Sequence, residues 1–194
     1  MKLLARCSQA FSIYNRKRKL DFIERYIHSN QIRSCLIVGA IPKIANESYQ
    51  NLIELGVLKI LDEVVISGIE SDGGEWPNWT RADGTKLPFP DKSFDLVLSN
   101  AVIEHVGDLA DQSKFVEEHA RVGRYFILTT PNRLFPIESH TQVIFKHMSG
   151  TWSHPSFTRL LSRSDLKEIL PSSAKVKGHT WSSTFIAFTG SAVS

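Results

Sequence analysis

The chain has 194 residues, of which 42% are hydrophobic and 22% are charged, with 11 Gly and 8 Pro. This length suits one α/β domain, and the ordinary Gly and Pro usage excludes collagen-like and low-complexity proteins. No apolar run reaches the roughly 18–20 residues of a membrane-spanning helix, no secretory signal is apparent, and two cysteines cannot build a disulfide framework. The composition therefore predicts a cytoplasmic protein.

The net charge of +3 is unevenly distributed along the chain. Residues 1–33 carry eight Lys and Arg against Asp21 and Glu24, a surplus of six that leaves the other 161 residues at −3. The block Arg16–Lys19 is typical of a solvated helix face, or of a surface that attracts phosphate groups. It lacks the interleaved aromatic residues of RNA-reading surfaces, so we expect no specific nucleic acid partner. Peripheral contact of this block with a membrane surface stays open.

The first predicted element is a helix over residues 9–29, with one apolar face on a core. Its periodic residues are the pairs Phe22/Tyr26 and Ile23/Ile27, with Phe11 and Tyr14 extending the stripe. We therefore divide the chain into a helical segment, residues 1–33, packed on a domain of residues 34–194.

From residue 34 onward, apolar strands alternate with helices. Strands are predicted at 34–39, 63–69, 79–82, 95–99, 124–130, 174–176 and 184–189. Helices are predicted at 44–55, punctuated by Gly56, at 111–122, and at 165–170 behind a capping box at Ser162. The alternation predicts a Rossmann-like, doubly wound and mostly parallel α/β sheet, with ligands at the carboxyl ends of the strands. The short connection 178–183 permits only a hairpin, so one C-terminal strand is antiparallel.

Residues 81–106 read RADGTKLPFPDKSFDLVLSNAVIEHV. This string resembles the third and fourth strand motifs of class I S-adenosylmethionine (SAM)-dependent methyltransferases, most closely the small-molecule, type 11 branch that includes quinone-biosynthesis methyltransferases. Residues 129–141, TTPNRLFPIESHT, are similar to the segment after the fifth strand in a bacterial subgroup of that branch. The resemblance covers about residues 34–190 and implies SAM as the cofactor.

The resemblance also implies which residues bind SAM. Glu70, after the second strand, matches the acid that accepts the two ribose hydroxyls, with Asp72 as the alternative. Asp83 matches the carboxylate at the adenine amino group, and Gly84 leaves room for the ring. The positions after the fourth strand that lie against the methionyl part are Asn100 and Ala101.

The first glycine motif departs from the family pattern, apolar-apolar-acid-apolar-G-x-G-x-G. Residues 36–43 read LIVGAIPK, so Gly39 and the adjoining Ala40 are the cofactor-binding candidates, whereas Ile41 and Lys43 replace the later glycines. Two outcomes are open. Either Lys43 pairs with the carboxylate of SAM, or the pocket is narrowed and the chain is a non-catalytic relative.

Acid–base and acceptor-binding candidates follow the fourth and fifth strands. The candidate general bases are His105 and His140, with Glu138 beside them. Asn132 and Arg133 are candidates for binding an anionic acceptor. Either a wall for an apolar or glycan acceptor or ordinary core packing is open for the aromatic residues Phe135, Phe145, Trp152 and Phe157. No metal site is expected, because the histidines do not cluster with cysteines at ligand spacing.

We expect methyl transfer from SAM to a small molecule, or to a lipid or glycan precursor of the cell envelope. The alternative is a non-catalytic methyltransferase-like module that binds a ligand or a partner. A nicotinamide-dependent oxidoreductase is a third hypothesis, which the missing G-x-G-x-x-G disfavours. The sequence predicts no oligomeric state.

Overall fold

The computed structural model describes residues 2–43, 51–136, 148 and 158–191. The elements, in chain order, are α1 (Lys2–Ser29), β1 (Ser34–Val38), α2 (Leu52–Ile60), β2 (Glu63–Gly68), β3 (Trp79–Arg81), β4 (Phe94–Asn100), a 3-10 turn (Ile103–His105), α3 (Leu109–Val122), β5 (Gly123–Pro131), α4 (Arg163–Ile169), β6 (Lys175–Lys177) and β7 (Thr184–Phe188). Among the described residues, no helix has the length and apolar character that crossing a bilayer requires.

All seven strands form one sheet in the order β3-β2-β1-β4-β5-β7-β6. The pairs from β3 to β5 are parallel, and β7 is antiparallel to both of its neighbours. The predicted fold, a doubly wound and mostly parallel sheet with an antiparallel strand near the C-terminus, is confirmed. Strand order reverses between β1 and β4, and ligands of such sheets bind at the carboxyl ends beside that reversal.

Helices cover both faces of the sheet. One core cluster joins Phe22 of α1 and Ile53 of α2 to the sheet residues Cys35 and Phe188, and burial raises the pKa of the Cys35 thiol. The other cluster joins α3 and α4 to the opposite face. The first helix is therefore part of the core.

Two features of the helices differ from the sequence prediction. Phe11 and Tyr14 are 43% and 57% exposed, so the buried stripe of α1 begins further along the helix. Gly56 lies inside α2 and does not end it. A glycine is needed there because α1 packs against this point of the helix, and a Cβ would lie 2.5 Å from Leu20 Cδ1. The start of the predicted helix 44–55 lies outside the described residues. The predicted capping box is confirmed, with Ser162 and Asp165 bonded reciprocally at the start of α4.

Gly39, which follows β1, is fixed by its backbone and by its neighbour. Its φ is +79°, a left-handed value, and a Cβ would lie 2.4 Å from Val102 Cγ1. Close packing of Val102 over the turn therefore requires glycine here, whether or not a ligand binds.

Gly39→Ala should lower the free energy of unfolding by about 1–3 kcal/mol, through backbone strain and the clash. The measurement is urea unfolding of Gly39→Ala, Val102→Ala and the double variant. In the double variant the clash is absent, so the two losses should be less than additive. Strictly additive losses would contradict the steric explanation.

His119 makes stability depend on pH. The ring is buried, its Nδ1 lies 2.7 Å from the Phe115 carbonyl oxygen, and its Nε2 has no hydrogen-bond partner among the described residues. Burial lowers its pKa from 6.5 to about 4. Because the unfolded chain takes up the proton first, stability should fall as the pH drops from about 6.5 toward 4.

His119→Phe should remove this part of the acid sensitivity, about 2 kcal/mol between pH 7 and pH 5, because it keeps an aromatic ring and removes the titrating group. The measurement is urea unfolding of both proteins at the two pH values. An equal loss of stability in the two proteins would contradict the assignment to His119.

Candidate functional site

Glu70 and Asp83 emerge at the same edge of the sheet. The last registered pair of β2 and β3 is Gly68 with Arg81, and each carboxylate lies two residues beyond it on its own chain segment. Both residues are exposed. Asp83 Oδ1 accepts hydrogen bonds from Thr85 N and Oγ1, each at 2.8 Å. The two carboxylates therefore end adjacent parallel strands, as the sequence predicts.

Gly84 has a packing role of its own. A Cβ there would lie 2.4 Å from Phe115 Cε2, so α3 packs directly beneath this turn. The requirement for glycine therefore does not depend on an adenine ring above it.

Asn100 is the last residue of β4 and Ala101 follows it. Relative to Glu70 and Asp83, both lie on the other side of the point between β1 and β4 where the strand order reverses. Asn100 Oδ1 accepts hydrogen bonds from Lys19 Nζ at 2.6 Å and from Thr129 Oγ1 at 2.8 Å. Ala101 has a φ of +56° and donates its N–H to the Thr129 carbonyl at 2.9 Å. This turn is held by α1 on one side and by β5 on the other.

A group of polar side chains, which we call the β4 cluster, surrounds Asn100. Its members are Lys19, Glu54, Asn100, Glu104, Thr129 and Thr130. Glu54 and Glu104 are buried, and Thr130 Oγ1 donates to Glu104 Oε2 at 3.2 Å. Burial raises the pKa of Glu54, against the opposing effects of its own backbone hydrogen bond, of the Lys19 and Arg16 charges and of the Asn100 side chain. Glu54 Oε2 has no hydrogen-bond partner among the described residues.

Lys19 joins the first helix to this cluster, which the sequence analysis missed. Burial and the neighbouring Arg16 charge lower its pKa to about 8, while the Glu104 and Glu54 charges act in the opposite direction. Within the basic block, Lys17 and Arg18 are exposed, whereas Lys19 is partly buried. The signal for Lys19 was helical spacing: it precedes the core residues Phe22 and Ile23 by three and four positions, on the same face.

The loop after β1 is bound to the chain itself. Gly39 N and Ala40 N both donate to the Ser67 carbonyl at 2.9 Å, Lys43 N donates to the Gly73 carbonyl at 3.0 Å, and Pro42 has no N–H. The amides of these four positions are therefore engaged or absent, and none is left to face a carboxylate.

Side chains of the β2–β3 loop also contact the loop after β1. Trp76 is buried and donates its indole N–H to the Ile41 carbonyl at 2.7 Å. Lys43 Nζ lies 3.9 Å from Glu75 Oε2 and 5.6 Å from the centre of the Trp76 ring. This geometry directs the Lys43 side chain toward the β2–β3 loop.

The acid–base and acceptor candidates have different surroundings. His105 is exposed in the turn after β4, and its carbonyl accepts a bond from Thr158 Oγ1 at 2.8 Å. Asn132 is buried and donates to the Thr180 and Ser182 carbonyls, so it fixes the β6–β7 turn. Arg133 lies 3.7 Å from Asp165. Outside the described residues lie Glu138, His140, Phe145, Trp152 and Phe157.

A cavity of about 740 Å³ opens between α1 and the β6–β7 turn. Aromatic lining residues include Phe11, Tyr14, Phe135 and Trp181, and the Phe11 and Phe135 rings are stacked with centres 6.2 Å apart. Four cationic side chains, Arg18, Lys19, Arg25 and Lys177, line it against one carboxylate, Asp21, among the described residues. Lys19 thus connects this cavity to the β4 cluster.

The donor set fits SAM, although the first loop does not match the family pattern. Carboxylates end β2 and β3, where a ribose diol and an adenine amino group would bind, and the β4 cluster carries both signs of charge for an amino-acid end. Adjacent strands lie about 4.8 Å apart, so the ends of β3 and β4, three spacings apart, are separated by about 14 Å. An extended nucleoside linked to an amino acid spans such a distance. In the part of the chain that the structure describes, no group of His, Cys, Asp and Glu could hold a metal ion.

Sequence comparison relates part of the chain to known methyltransferases. Residues 61–125 match the family model described as a methyltransferase domain, type 11. A probable S-adenosylmethionine-dependent methyltransferase from Mycolicibacterium smegmatis is 39% identical over 88 residues, and one from Mycobacterium tuberculosis is 37% identical over 93 residues. These matches cover 44% and 46% of this chain but only 30% of each relative.

Solved structures share the fold at low sequence identity. A SAM-dependent methyltransferase from Archaeoglobus fulgidus superposes with a TM-score of 0.57 at 16% identity, covering 89% of this chain and 93% of that one. Magnesium protoporphyrin IX methyltransferase from Synechocystis, with S-adenosylhomocysteine (SAH) bound, gives 0.53 at 11% identity, covering 88% and 81%. Residues 61–125 are thus similar to the type 11 methyltransferase domain, and the sheet as a whole has the fold of SAM-dependent methyltransferases of known structure.

Proposed function

We propose that the chain binds SAM and transfers its methyl group to a small-molecule acceptor, or to a lipid or glycan precursor of the cell envelope. The observation that carries the proposal is the placement of Glu70 and Asp83 at one edge, two residues beyond a registered strand pair. Glu70 accepts hydrogen bonds from the ribose hydroxyls, and Asp83 accepts one from the adenine amino group through Oδ2. The Asp83 turn occupies Oδ1 and thereby orients the side chain.

The reaction is an in-line displacement, for which SAM supplies a methyl group on a positively charged sulfur. The chain's task is mainly to align the acceptor with that methyl group. The cavity between α1 and the β6–β7 turn suits an acceptor with an apolar or aromatic body and an anionic group, because its lining combines aromatic rings with a surplus of three positive charges. His105, in the turn after β4, takes the acceptor proton where the nucleophile needs a base, and His140 is the second candidate for this role.

The proposal includes a cytoplasmic location. Cys35 is a free thiol buried in the sheet, and intracellular compartments keep thiols reduced. The partner is the acceptor itself. We propose peripheral contact with anionic surfaces at Lys17 and Arg18, the exposed members of the basic block.

One observation favours the alternative, a non-catalytic module. The amides of residues 39, 40 and 43 are all engaged within the chain, which favours a first loop that contributes few donors to a ligand. The two hypotheses differ in one simple measurement. Binding to the native state must raise the melting temperature, so millimolar SAM stabilises an active enzyme and leaves a module that does not bind SAM unchanged.

Asp83→Ala should weaken SAM and SAH binding by about 1–3 kcal/mol, the usual effect of losing a charged hydrogen-bond partner. Asp83→Asn should weaken it too, although its side-chain oxygen can still accept the Thr85 bonds of the turn. The measurement is titration calorimetry, with Asp62→Asn, an exposed carboxylate at the opposite edge of the sheet, as the matched control. Unchanged affinity in both Asp83 variants would place the adenine elsewhere.

A further inference from the structure

We propose that Lys19 of α1 and Glu54 of α2 bind the carboxylate and the ammonium of the cofactor's amino-acid end, in place of the missing glycine loop. This inference rests on the proposed function and adds a site to it. The two residues lie outside every motif through which the chain resembles its family, and they come from the first two helices.

The need for such a site comes from the first loop. Gly39 N, Ala40 N and Lys43 N donate to carbonyls of β2 and of the β2–β3 loop, and Pro42 has no amide proton. The side chain of Lys43 is held near Glu75 and Trp76. These four residues offer no free backbone donor to a carboxylate at the end of β1, which favours a side-chain partner from another element.

Lys19 provides that partner. Its ammonium group lies 2.6 Å from Asn100 Oδ1, at the carboxyl end of β4, and its side chain also lines the 740 Å³ cavity. An ammonium has three N–H donors, and the Asn100 bond uses one, so the group can bind a carboxylate without leaving the cluster. Its position is fixed by the α1–α2 contact, where Leu20 packs on Gly56.

Glu54 provides the opposite charge when an ammonium lies against it, because a neighbouring cation offsets the burial that raises the pKa of this carboxyl. It is only 8% exposed, and its Oε2 has no hydrogen-bond partner among the described residues. A buried carboxylate oxygen without a partner is costly, and an ammonium placed against it would remove that cost. Glu54 shares the α2 face of the core residues Ile53 and Val57, so it faces inward from the helix. Lys19 and Glu54 together match the two charges of an amino-acid zwitterion.

The titration of Lys19 gives the site a pH dependence. The charged groups around its ammonium are Arg16 of α1, Glu54 of α2 and Glu104 of the turn after β4. Without ligand, the pKa of Lys19 is lowered to about 8, mainly by burial. A bound carboxylate favours the protonated form, so affinity for the amino-acid end should fall as the pH rises above 8.

The test compares two ligands that differ only in the amino-acid end. SAH carries it, and 5′-methylthioadenosine has the same nucleoside thioether without it. By calorimetry at pH 7, wild type should bind SAH at least ten-fold more tightly than methylthioadenosine. Lys19→Met and Glu54→Gln should each lose about ten-fold in SAH affinity, as expected for a hydrogen bond to a charged group, and stay within two-fold for methylthioadenosine. Raising the pH from 7 to 9 should weaken SAH binding more in wild type than in Lys19→Met, because the ligand's own ammonium titrates in both proteins and the Lys19 ammonium only in wild type.

The control is Lys17→Met, which removes an exposed charge from the same helix and should change neither affinity. Lys19→Gln, which retains a donor for Asn100, covers the case in which Lys19→Met does not fold. Equal losses for both ligands would mean that Lys19 only tethers α1, and unchanged SAH affinity in folded variants would equally overturn the proposal. If wild type binds methylthioadenosine as tightly as SAH, this inference fails while the nucleoside site stands. If it binds neither, the proposed function fails as well.

Discussion

The parallel alignment of five strands is the constraint on which the candidate site depends. Because β3, β2, β1, β4 and β5 run in one direction, their carboxyl ends meet along a single edge. Residues that are distant in sequence, such as Glu70, Asp83 and Asn100, thereby come into one row. The strand order fixes their sequence along this edge, and the hydrogen-bond register fixes which face each side chain points to, so a shift of one residue in β3 would turn Asp83 to the opposite face.

The sheet forms although the loop after β1 departs from the glycine pattern that the resemblance leads one to expect. Gly39 remains because Val102 packs against its Cα and because its φ is positive, reasons that are internal to the fold. The loop positions that the resemblance places beside a cofactor make contacts within the chain, chiefly the bond from the Trp76 indole N–H to the Ile41 carbonyl. Stability at this edge therefore comes from loop pairing, and our proposal assigns recognition of the cofactor's amino-acid end to the side chains around β4.

Most of the fold could be predicted from local signals, because buried parallel strands are apolar throughout and a capping box is a local pattern. The strands and the Ser162 box follow from such signals. The packing of α1 against α2 and against the end of β4 could not be predicted, because it joins residues that are distant in sequence. The sequence predicts that Gly56 ends a helix, because glycine is common at helix ends. In the structure it lies inside α2, where Leu20 from α1 occupies the space that a side chain would need. Lys19 was interpreted with its charged neighbours, although its spacing from Phe22 places it on the buried face. No pattern near Lys19 in the sequence indicates that its ammonium group contacts Asn100, which lies 81 residues further along the chain.

The first helix changes what the domain boundary at residue 33 means. Phe22 and Tyr26 share a core cluster with β1, β4 and β7, so this helix cannot be detached without opening the sheet's own core. Through Lys19 and Arg18 it also lines the cavity and reaches the end of β4. The first helix therefore belongs to the core and to the lining of the cavity, and it reaches the end of β4. If the cofactor and the acceptor bind as we propose, both lie against one side chain, Lys19, and the charge of that side chain depends on what occupies the site.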